Sequence, residues 1–201
     1  MKILGITGMT GAGKSTLLRE AEKFGCKAFD CDQIYHKLLS SCEPMQKELQ
    51  VQFPEAFENG QFDRKALGRI AFADPEKLTK LNEITHKYVI SEIKKELFKA
   101  HEEGASFAAV DAIALIESGL GQSCDLTVCV VAPEETRVRR LMERDGISRE
   151  YAISRIRAQK SEAEFRKMCD LCLENNGTRE EFEQKCHEFL KKLTTERKVT
   201  L

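Results

Sequence analysis

A glycine-rich segment near the start of the chain has the residues and the spacing of a phosphate-binding loop. From Gly8 to Ser15 the sequence GMTGAGKS matches G-x-x-x-x-G-K-[ST] at every fixed position. Several backbone N–H groups can surround polyphosphate oxygens only where side chains leave the backbone open, as glycine does. Lys14 can reach the β- and γ-phosphates, and the Ser15 hydroxyl can bind Mg²⁺. The segment therefore predicts a site for a nucleoside triphosphate, most simply ATP with Mg²⁺.

The flanks of this segment fit the same interpretation. The apolar run Lys2–Thr7 predicts a strand, and Lys14–Phe24 has a helical pattern that ends at Gly25. The helix would add its N-terminal amides and its dipole to the phosphate site, whereas a chance match on a glycine-rich turn would lack this context. The sequence has no N/T-K-x-D motif, which favours a kinase over a GTPase. We expect the nucleotide to be bound by Gly11, Ala12, Gly13, Lys14, Ser15 and Thr16.

Two carboxylates follow the second predicted strand, Lys27–Asp30, in the segment FDCDQIYH. The carboxyl ends of parallel strands meet at the edge where ligands bind. Asp32 could take the proton of an acceptor hydroxyl during phosphoryl transfer. Alternatively, it could be the N-cap of a helix that begins at Gln33, and the two roles are compatible. Asp30 is expected to be an outer partner of the site or of a water bound to Mg²⁺.

A basic helical region lies downstream, between residues 134 and 167. Arg140 and Arg144 are four residues apart and share a helix face with Arg137 nearby, while Arg155 and Gln159 share another face. A basic helical hairpin could close over ATP, neutralise the transferred phosphoryl group and exclude water. The spacing alone favours such a lid no more than an ordinary solvated basic face.

The order of predicted elements indicates an α/β fold with a parallel sheet, because strands alternate with helices. Residues 44–62 have a mixed pattern interrupted by prolines, and the region 134–167 is predicted to break near Gly146. A capping box is predicted at Thr178 and Glu181. The remaining strands are predicted at Ser106–Asp111, Leu126–Val131 and Met168–Glu174, and the remaining helices at Gln33–Leu39, Arg64–Phe72, Glu76–Glu103 and Thr178–Leu193.

Composition narrows the functional classes. The chain has 201 residues, a net charge of −1 and 41% hydrophobic residues, so no overall field attracts it to nucleic acid or to a membrane. No run approaches the ~20 apolar residues that span a bilayer, and no signal peptide is predicted. Eight scattered cysteines favour reduced thiols and a cytoplasmic location. The pair Cys169 and Cys172 is interpreted as structural, because a zinc site would require a second pair.

Taken together, these motifs resemble the dephospho-CoA kinase family along nearly the whole chain. The loop alone is common to many families, but the later motifs in combination are far more selective. In order, the segments that carry the resemblance are GITGMTGAGKST, FDCDQIYH, FDRKALGRIAF, LNEITHKYV, VDAIALIESG, RRLMERDGIS, RIRAQ and ENNGT.

The resemblance implies transfer of the ATP γ-phosphate to the ribose 3′-hydroxyl of dephospho-CoA. It also implies three parts: a P-loop kinase core from residues 1–32, 104–133 and 166–201, a helical CoA-binding part from 33–103, and a helical lid from 134–165. Asp32 matches the proposed base of the family, and Arg140 matches its lid arginine. With Lys14 these form the expected catalytic set, Arg144 is expected to bind ATP, and the expected acceptor residues are Asp30, Arg64, His86 and Glu117.

Two positions depart from the family pattern. Lys87 follows His86 where the family usually has proline, and Ile113 stands where a proline usually precedes Glu117 by four residues. His86 could pack within its helix rather than contact the acceptor. Arg64 could pair with a neighbouring carboxylate rather than with substrate. A nucleoside or nucleotide kinase, and an ATP-binding regulatory protein without turnover, remain the alternative functions.

Overall fold

A five-stranded parallel sheet forms the centre of the fold. The structure is a computed structural model that describes residues 1–58 and 61–195; the last six residues of the predicted core segment 166–201 lie outside this range. The sheet strands are β1 (Lys2–Gly8), β2 (Lys27–Asp30), β5 (Phe107–Asp111), β6 (Leu126–Val131) and β7 (Leu171–Glu174), and a separate hairpin contains β3 (Phe57–Glu58) and β4 (Gln61–Phe62). The spatial order of the strands in the sheet is β2-β5-β1-β6-β7, and every neighbouring pair is parallel.

Helices connect the strands, as parallel pairing requires. They are α1 (Lys14–Lys23), α2 (Cys31–Ser41), α3 (Glu43–Gln52), α4 (Arg64–Phe72), α5 (Pro75–Glu102), α6 (Glu134–Asp145), α7 (Arg149–Arg157), α8 (Glu162–Met168) and α9 (Arg179–Thr195). The prediction of a parallel α/β fold is thus confirmed. The predicted capping box is also present, because Thr178 and Glu181 exchange hydrogen bonds between side chain and backbone N–H.

Three predicted boundaries are wrong for identifiable reasons. Residues 44–62 contain the regular helix α3, because Pro44 lies in its first turn, where proline costs no hydrogen bond. Met168 ends α8 rather than beginning a strand, because the backbone N–H of Cys169 still bonds to the Phe165 carbonyl, as in a helix, and pairing with β6 begins only at Leu171. The second predicted helix begins at Cys31, which places Asp32 in its first turn and rules out the N-cap alternative for Asp32.

The chain divides into two compact units, residues 1–30 with 99–201 and residues 31–98. In the first unit the central strands are buried on both faces, as their continuous apolar sequences suggest. Leu17 and Ala21 of α1 and Phe182 of α9 belong to the same core cluster as the sheet. The helical hairpin of α6 and α7 has its own small core, formed by Val138, Leu141, Ala152 and Ile156.

The second unit contains α2, α3, α4 and the β3–β4 hairpin around its own core. Phe53, Met45 and Leu49 of the α3 region are almost fully buried, and Leu67 of α4 is equally buried. At the position where the resembling family usually has proline, the Lys87 ammonium forms an ion pair with Glu48 of α3. Tyr88 also donates a hydrogen bond to Glu48 at 2.6 Å. A residue with a backbone N–H at 87 allows α5 to continue without interruption.

Candidate active site

The phosphate-loop sequence lies between the end of β1 and the start of α1. Gly13, with φ +112°, precedes Lys14, the first residue of the helix. Among the described residues no side chain caps this helix, and its first turn contains no acidic residue. Neither a capping side chain nor an acid in the first turn therefore offsets the positive end of the helix dipole, which suits the N-terminus of α1 to an anion.

Two of the loop glycines are required by their surroundings. A Cβ atom on Gly8 would lie 2.2 Å from the carbonyl oxygen of Val130 on the neighbouring strand. A Cβ atom on Gly13 would lie 2.6 Å from Nδ2 of Asn175. Both residues also have positive φ, which side chains disfavour. The glycine spacing is thus fixed by close packing around the loop as well as by access for phosphate.

The Lys14 side chain bends back over its own loop. Its Nζ donates hydrogen bonds to the carbonyl oxygens of Gly8 at 3.1 Å and Met9 at 3.3 Å. Both carbonyls belong to the segment that the sequence assigns to phosphate, so they hold the ammonium against that segment. An anion bound by the loop would therefore meet a positive charge already positioned there.

Two carbonyl groups of the loop are held by residues from distant parts of the chain. Asn175, which follows β7 and is 4% exposed, donates from Nδ2 to the Ala12 carbonyl at 2.7 Å. Its Oδ1 accepts a hydrogen bond from Nη2 of Arg140 at 3.1 Å. Nη1 of Arg140 also donates to the carbonyls of Gly11 and Ala12, each at 3.4 Å. Burial lowers the pKa of the Arg140 guanidinium.

The opposite end of the loop is held by Gln159, just beyond α7. Its Oε1 accepts a hydrogen bond from the backbone N–H of Thr10 at 2.7 Å. The next residue, Lys160, forms an ion pair with Glu117 at 3.3 Å. Glu117, predicted from the resemblance to contact the acceptor, is therefore paired with a lysine that adjoins Gln159.

The helical hairpin of α6 and α7 is joined by one carboxylate. Asp145 accepts hydrogen bonds from both Nε and Nη2 of Arg144, at 2.6 and 3.0 Å. It also pairs with Nη1 of Arg155 on α7 at 2.6 Å. These two guanidinium groups hold the pKa of Asp145 well below its usual range, at about 2. The basic face that the sequence predicted therefore contains an internal acidic partner.

Arg137 differs from the other arginines of α6 because it is only 4% exposed. Its Nε donates to the Ala132 carbonyl at 3.0 Å, while Nη1 is buried without a hydrogen-bond partner among residues 1–58 and 61–195. Burial lowers the pKa of this guanidinium. Arg137 thus anchors the start of α6 near the end of β6 through the Ala132 carbonyl.

Two carboxylates end neighbouring strands at the same edge of the sheet. Asp30 of β2 is the register partner of Asp111 of β5, so both lie at the carboxyl end, where β1 runs into the loop. Asp111 was not predicted as a site residue, although its motif was part of the resemblance. Oxygen donors of this type, together with the Ser15 hydroxyl, are the ligands that Mg²⁺ prefers.

In the second unit, two predicted site residues, Asp32 and Arg64, lie close enough to Tyr35 to affect its ionisation. Asp32 is in the first turn of α2, and Tyr35 is one turn further on. Burial raises the pKa of Tyr35, the Arg64 charge lowers it, and the Asp32 charge raises it. Arg64 also lies close to His36, with 3.3 Å between Nη2 and Nε2. His86 is half-buried on α5.

The described residues thus contain a strand–loop–helix with its lysine in place, and a basic hairpin bonded to that loop. These features define a P-loop kinase. A protein-family model described as Dephospho-CoA kinase matches residues 2–181. The chain belongs to the dephospho-CoA kinase family.

Individual comparisons agree with this membership. A dephospho-CoA kinase of Thermus thermophilus is 38% identical over 192 residues, covering 96% of this chain and 92% of that protein. A solved structure of a Thermus thermophilus protein has a TM-score of 0.80 at 37% identity, covering 96% and 97% of the two chains. A dephospho-CoA kinase structure from Campylobacter jejuni has a TM-score of 0.70 at 26% identity, covering 98% of this chain and 100% of that one. No helix in the described part of the chain is long and apolar enough to cross a bilayer.

Proposed function

We propose that this chain transfers the γ-phosphoryl group of ATP to the ribose 3′-hydroxyl of dephospho-CoA, giving CoA and ADP. The observation that carries the proposal is the family match over residues 2–181 together with a loop in which Lys14 is already positioned. The P–O bond between the γ- and β-phosphates breaks, a bond from the 3′-oxygen to the γ-phosphorus forms, and the hydroxyl proton leaves.

The proposed nucleotide site is the loop with the start of α1. The phosphates are proposed to bind along the loop from Gly11 to Thr16, where backbone N–H groups at the start of α1 face them, and Lys14 neutralises the β/γ region. Arg140 and Arg144 add positive charge from the hairpin of α6 and α7. Charge placed before the reaction stabilises the negative charge that develops on the transferred group, because no further reorganisation is needed.

The proposed cofactor is Mg²⁺, bound with ATP. Ser15 would hold it, and Asp30 would bind one of its waters; Asp111, its register partner, offers a second carboxylate at the same edge. These residues supply only oxygen donors, which suits a hard cation. When bound, the ion would neutralise phosphate charge and orient the oxygens.

The proposed acceptor site uses Asp32 as the group that orients the 3′-hydroxyl and takes its proton. Arg64, His86, Asp30 and Glu117 are proposed to contact dephospho-CoA. The guanidinium of Arg64 suits the phosphates of the acceptor. The same proposal assigns residues 33–103 to CoA binding, 134–165 to the lid and the remaining segments to the nucleotide core. The proposed compartment is the cytoplasm, which suits the reduced state of all eight cysteines.

One assay tests the function against both alternatives. ATP consumption is measured with dephospho-CoA, with a panel of nucleosides and nucleotides, and without acceptor, and the product is weighed by mass spectrometry. We expect ADP release and one added phosphoryl group on dephospho-CoA alone. Faster turnover of a nucleoside would support the other kinase class. Nucleotide binding without turnover on any acceptor would support a regulatory protein.

A further inference from the structure

We propose that Gln159 and Asn175 are positioning residues that set two peptide planes of the phosphate loop. One plane aims a carbonyl at Lys14, and the other turns an amide toward the phosphate side. Only the rate measurements in the test rest on the proposed function. The contacts of Gln159 and Asn175 are all between residues of the first unit and do not depend on it. Neither residue was predicted as a site residue from the sequence.

The first plane is the peptide that joins Met9 to Thr10. All peptides in the described chain are trans, so the carbonyl of Met9 and the N–H of Thr10 point in opposite directions. The Met9 carbonyl accepts hydrogen bonds from Lys14 Nζ at 3.3 Å and from the Ala12 N–H at 3.2 Å. The Thr10 N–H therefore points away from Lys14, and there it donates to Gln159 at 2.7 Å.

Gln159 stabilises this orientation because the Thr10 site is buried. Thr10 is only 8% exposed, so its N–H would be left with little access to water if Gln159 were lost. A buried donor without a partner is costly, and rotation of the peptide is one way to relieve that cost. Such a rotation would withdraw the Met9 carbonyl from Lys14. Gln159 thus acts on the phosphate site through Lys14 without touching the nucleotide.

The second plane joins Ala12 to Gly13. The Ala12 carbonyl points outward to Asn175 Nδ2 at 2.7 Å, so the N–H of Gly13 points to the opposite side. Gly13 is the residue before α1, where a phosphate-binding amide is expected. Asn175 is held in turn, because its backbone N–H donates to Val131 and its Oδ1 accepts from Arg140.

The chemistry of the partners fixes both side-chain amides in one orientation. A backbone N–H and a guanidinium only donate, and a carbonyl only accepts. Oxygen of Gln159 must therefore face Thr10, while oxygen of Asn175 faces Arg140 and its nitrogen faces Ala12. At position 175 an acid would lose the donor to Ala12, whereas at position 159 the contact with Thr10 requires only an acceptor oxygen.

The main test replaces Gln159 by methionine, which has similar length and no amide oxygen. We expect kcat/KM for ATP to fall by about ten- to a hundredfold, the range that one unsatisfied buried donor corresponds to. The KM for dephospho-CoA should change little, while the melting temperature without ATP should fall by several degrees, because an unsatisfied buried donor also costs stability. Gln159→Glu keeps an acceptor oxygen at the same distance along the side chain. Its kcat at saturating ATP should therefore lie closer to the wild-type value than that of Gln159→Met.

Gln184→Met is the matched control. Gln184 is exposed on α9, where its side chain donates to Glu188, and the same chemical change there should leave all kinetic constants unchanged. Asn175→Asp tests the second plane, because it keeps the oxygen for Arg140 but removes the donor to Ala12. We expect a similar loss in kcat/KM for ATP. If this buried variant does not fold, the Gln159 series alone decides the proposal.

The route through Lys14 is tested by a double-mutant cycle on ATP affinity. Removal of Gln159 should weaken ATP binding in the wild-type background but have little further effect in Lys14→Ala. Equal effects in both backgrounds, or a Gln159→Met variant that matches Gln184→Met in every constant, would overturn the proposal. Wild-type protein without dephospho-CoA-dependent turnover would instead contradict the proposed function, while the ATP-affinity cycle would still test the loop.

Discussion

The Asp145 carboxylate lies 2.6 Å from Nη1 of Arg155, a contact that joins the last turn of α6 to the last turn of α7. The same carboxylate also pairs with Arg144, its neighbour in the sequence. Two arginines of the helical hairpin are therefore brought together by one acid. Without that acid their like charges would repel each other, so Asp145 determines how the basic hairpin presents its guanidinium groups.

The pKa of Asp145 leads to a prediction about acid stability. Because its pKa in the folded protein is about 2, below the ordinary value near 4, the ionised form stabilises the fold. This contribution is fully present above about pH 5 and is lost as the pH falls toward 2. The wild type should therefore melt at a higher temperature than Asp145→Asn at pH 7, and the difference should disappear near pH 2.

Thermal unfolding followed by circular dichroism between pH 2 and 7 provides the measurement. Glu143→Gln removes another carboxylate from α6 while leaving the Asp145 pairs in place, and it should retain the wild-type pH dependence. A constant difference in melting temperature between wild type and Asp145→Asn across the whole range would show that the ion pairs contribute nothing to stability.

Lys14→Ala should remove most of the turnover. Lys14 is the cation held over the loop by the Gly8 and Met9 carbonyls, so its loss removes a preorganised charge worth ~3–4 kcal/mol in the transition state. We expect kcat to fall by about two to three orders of magnitude. Lys2→Ala, at the far end of β1, is the matched control. Near-wild-type turnover in Lys14→Ala would contradict the assignment of the phosphate loop.

Arg140→Ala should impair the binding and use of ATP more than the binding of the acceptor. Its guanidinium bonds to the carbonyls of Gly11 and Ala12, so the variant loses both loop support and positive charge. We expect kcat to fall and the KM for ATP to rise, while the KM for dephospho-CoA stays within about twofold. Arg140→Lys should recover only part of the activity, because an ammonium cannot span two acceptors and Asn175 together.

Initial-rate kinetics with each substrate varied in turn measure these effects. Arg139→Ala removes an exposed arginine from the adjacent position and should behave as wild type. Wild-type constants in both Arg140 variants would indicate that α6 presents only a solvated basic face.

The phosphate loop could be predicted from sequence because its chemistry is local. Its glycines, Lys14 and Ser15 are within eight consecutive positions, and the flanking strand and helix are short-range patterns. The contacts that orient the loop could not be predicted in this way. Gln159 is 149 positions from Thr10, and Asn175 is 163 positions from Ala12, so only the folded chain shows which backbone groups they bind.

The acidic partner of the α6–α7 hairpin was missed for a different reason. Positive charges four residues apart share a helix face, and this pattern indicated a basic surface. Asp145 is next to Arg144 in sequence, where side chains of a helix normally diverge, yet its carboxylate reaches both Arg144 and Arg155. Local periodicity cannot show that a second helix returns to the same carboxylate.

The starting residue of α2 sharpens the prediction for Asp32. Because α2 begins at Cys31, Asp32 lies inside the first turn and does not cap the helix. Its negative charge there interacts favourably with the helix dipole and stabilises α2 by only ~0.3–1 kcal/mol, so Asp32→Asn should cost little stability. If Asp32 orients and deprotonates the 3′-hydroxyl, the same variant should bind ATP normally and lose about 10²–10⁴-fold in rate.

Glu43→Gln is the matched control for this variant, because Glu43 is the acidic residue in the first turn of α3 in the same unit. Both variants should have similar melting temperatures with and without ATP, and only Asp32→Asn should lose its rate with dephospho-CoA. A loss near 10² would indicate that Asp32 mainly positions the hydroxyl, since a loose phosphoryl-transfer transition state needs little early deprotonation. A rate equal to that of Glu43→Gln would exclude Asp32 as the catalytic base.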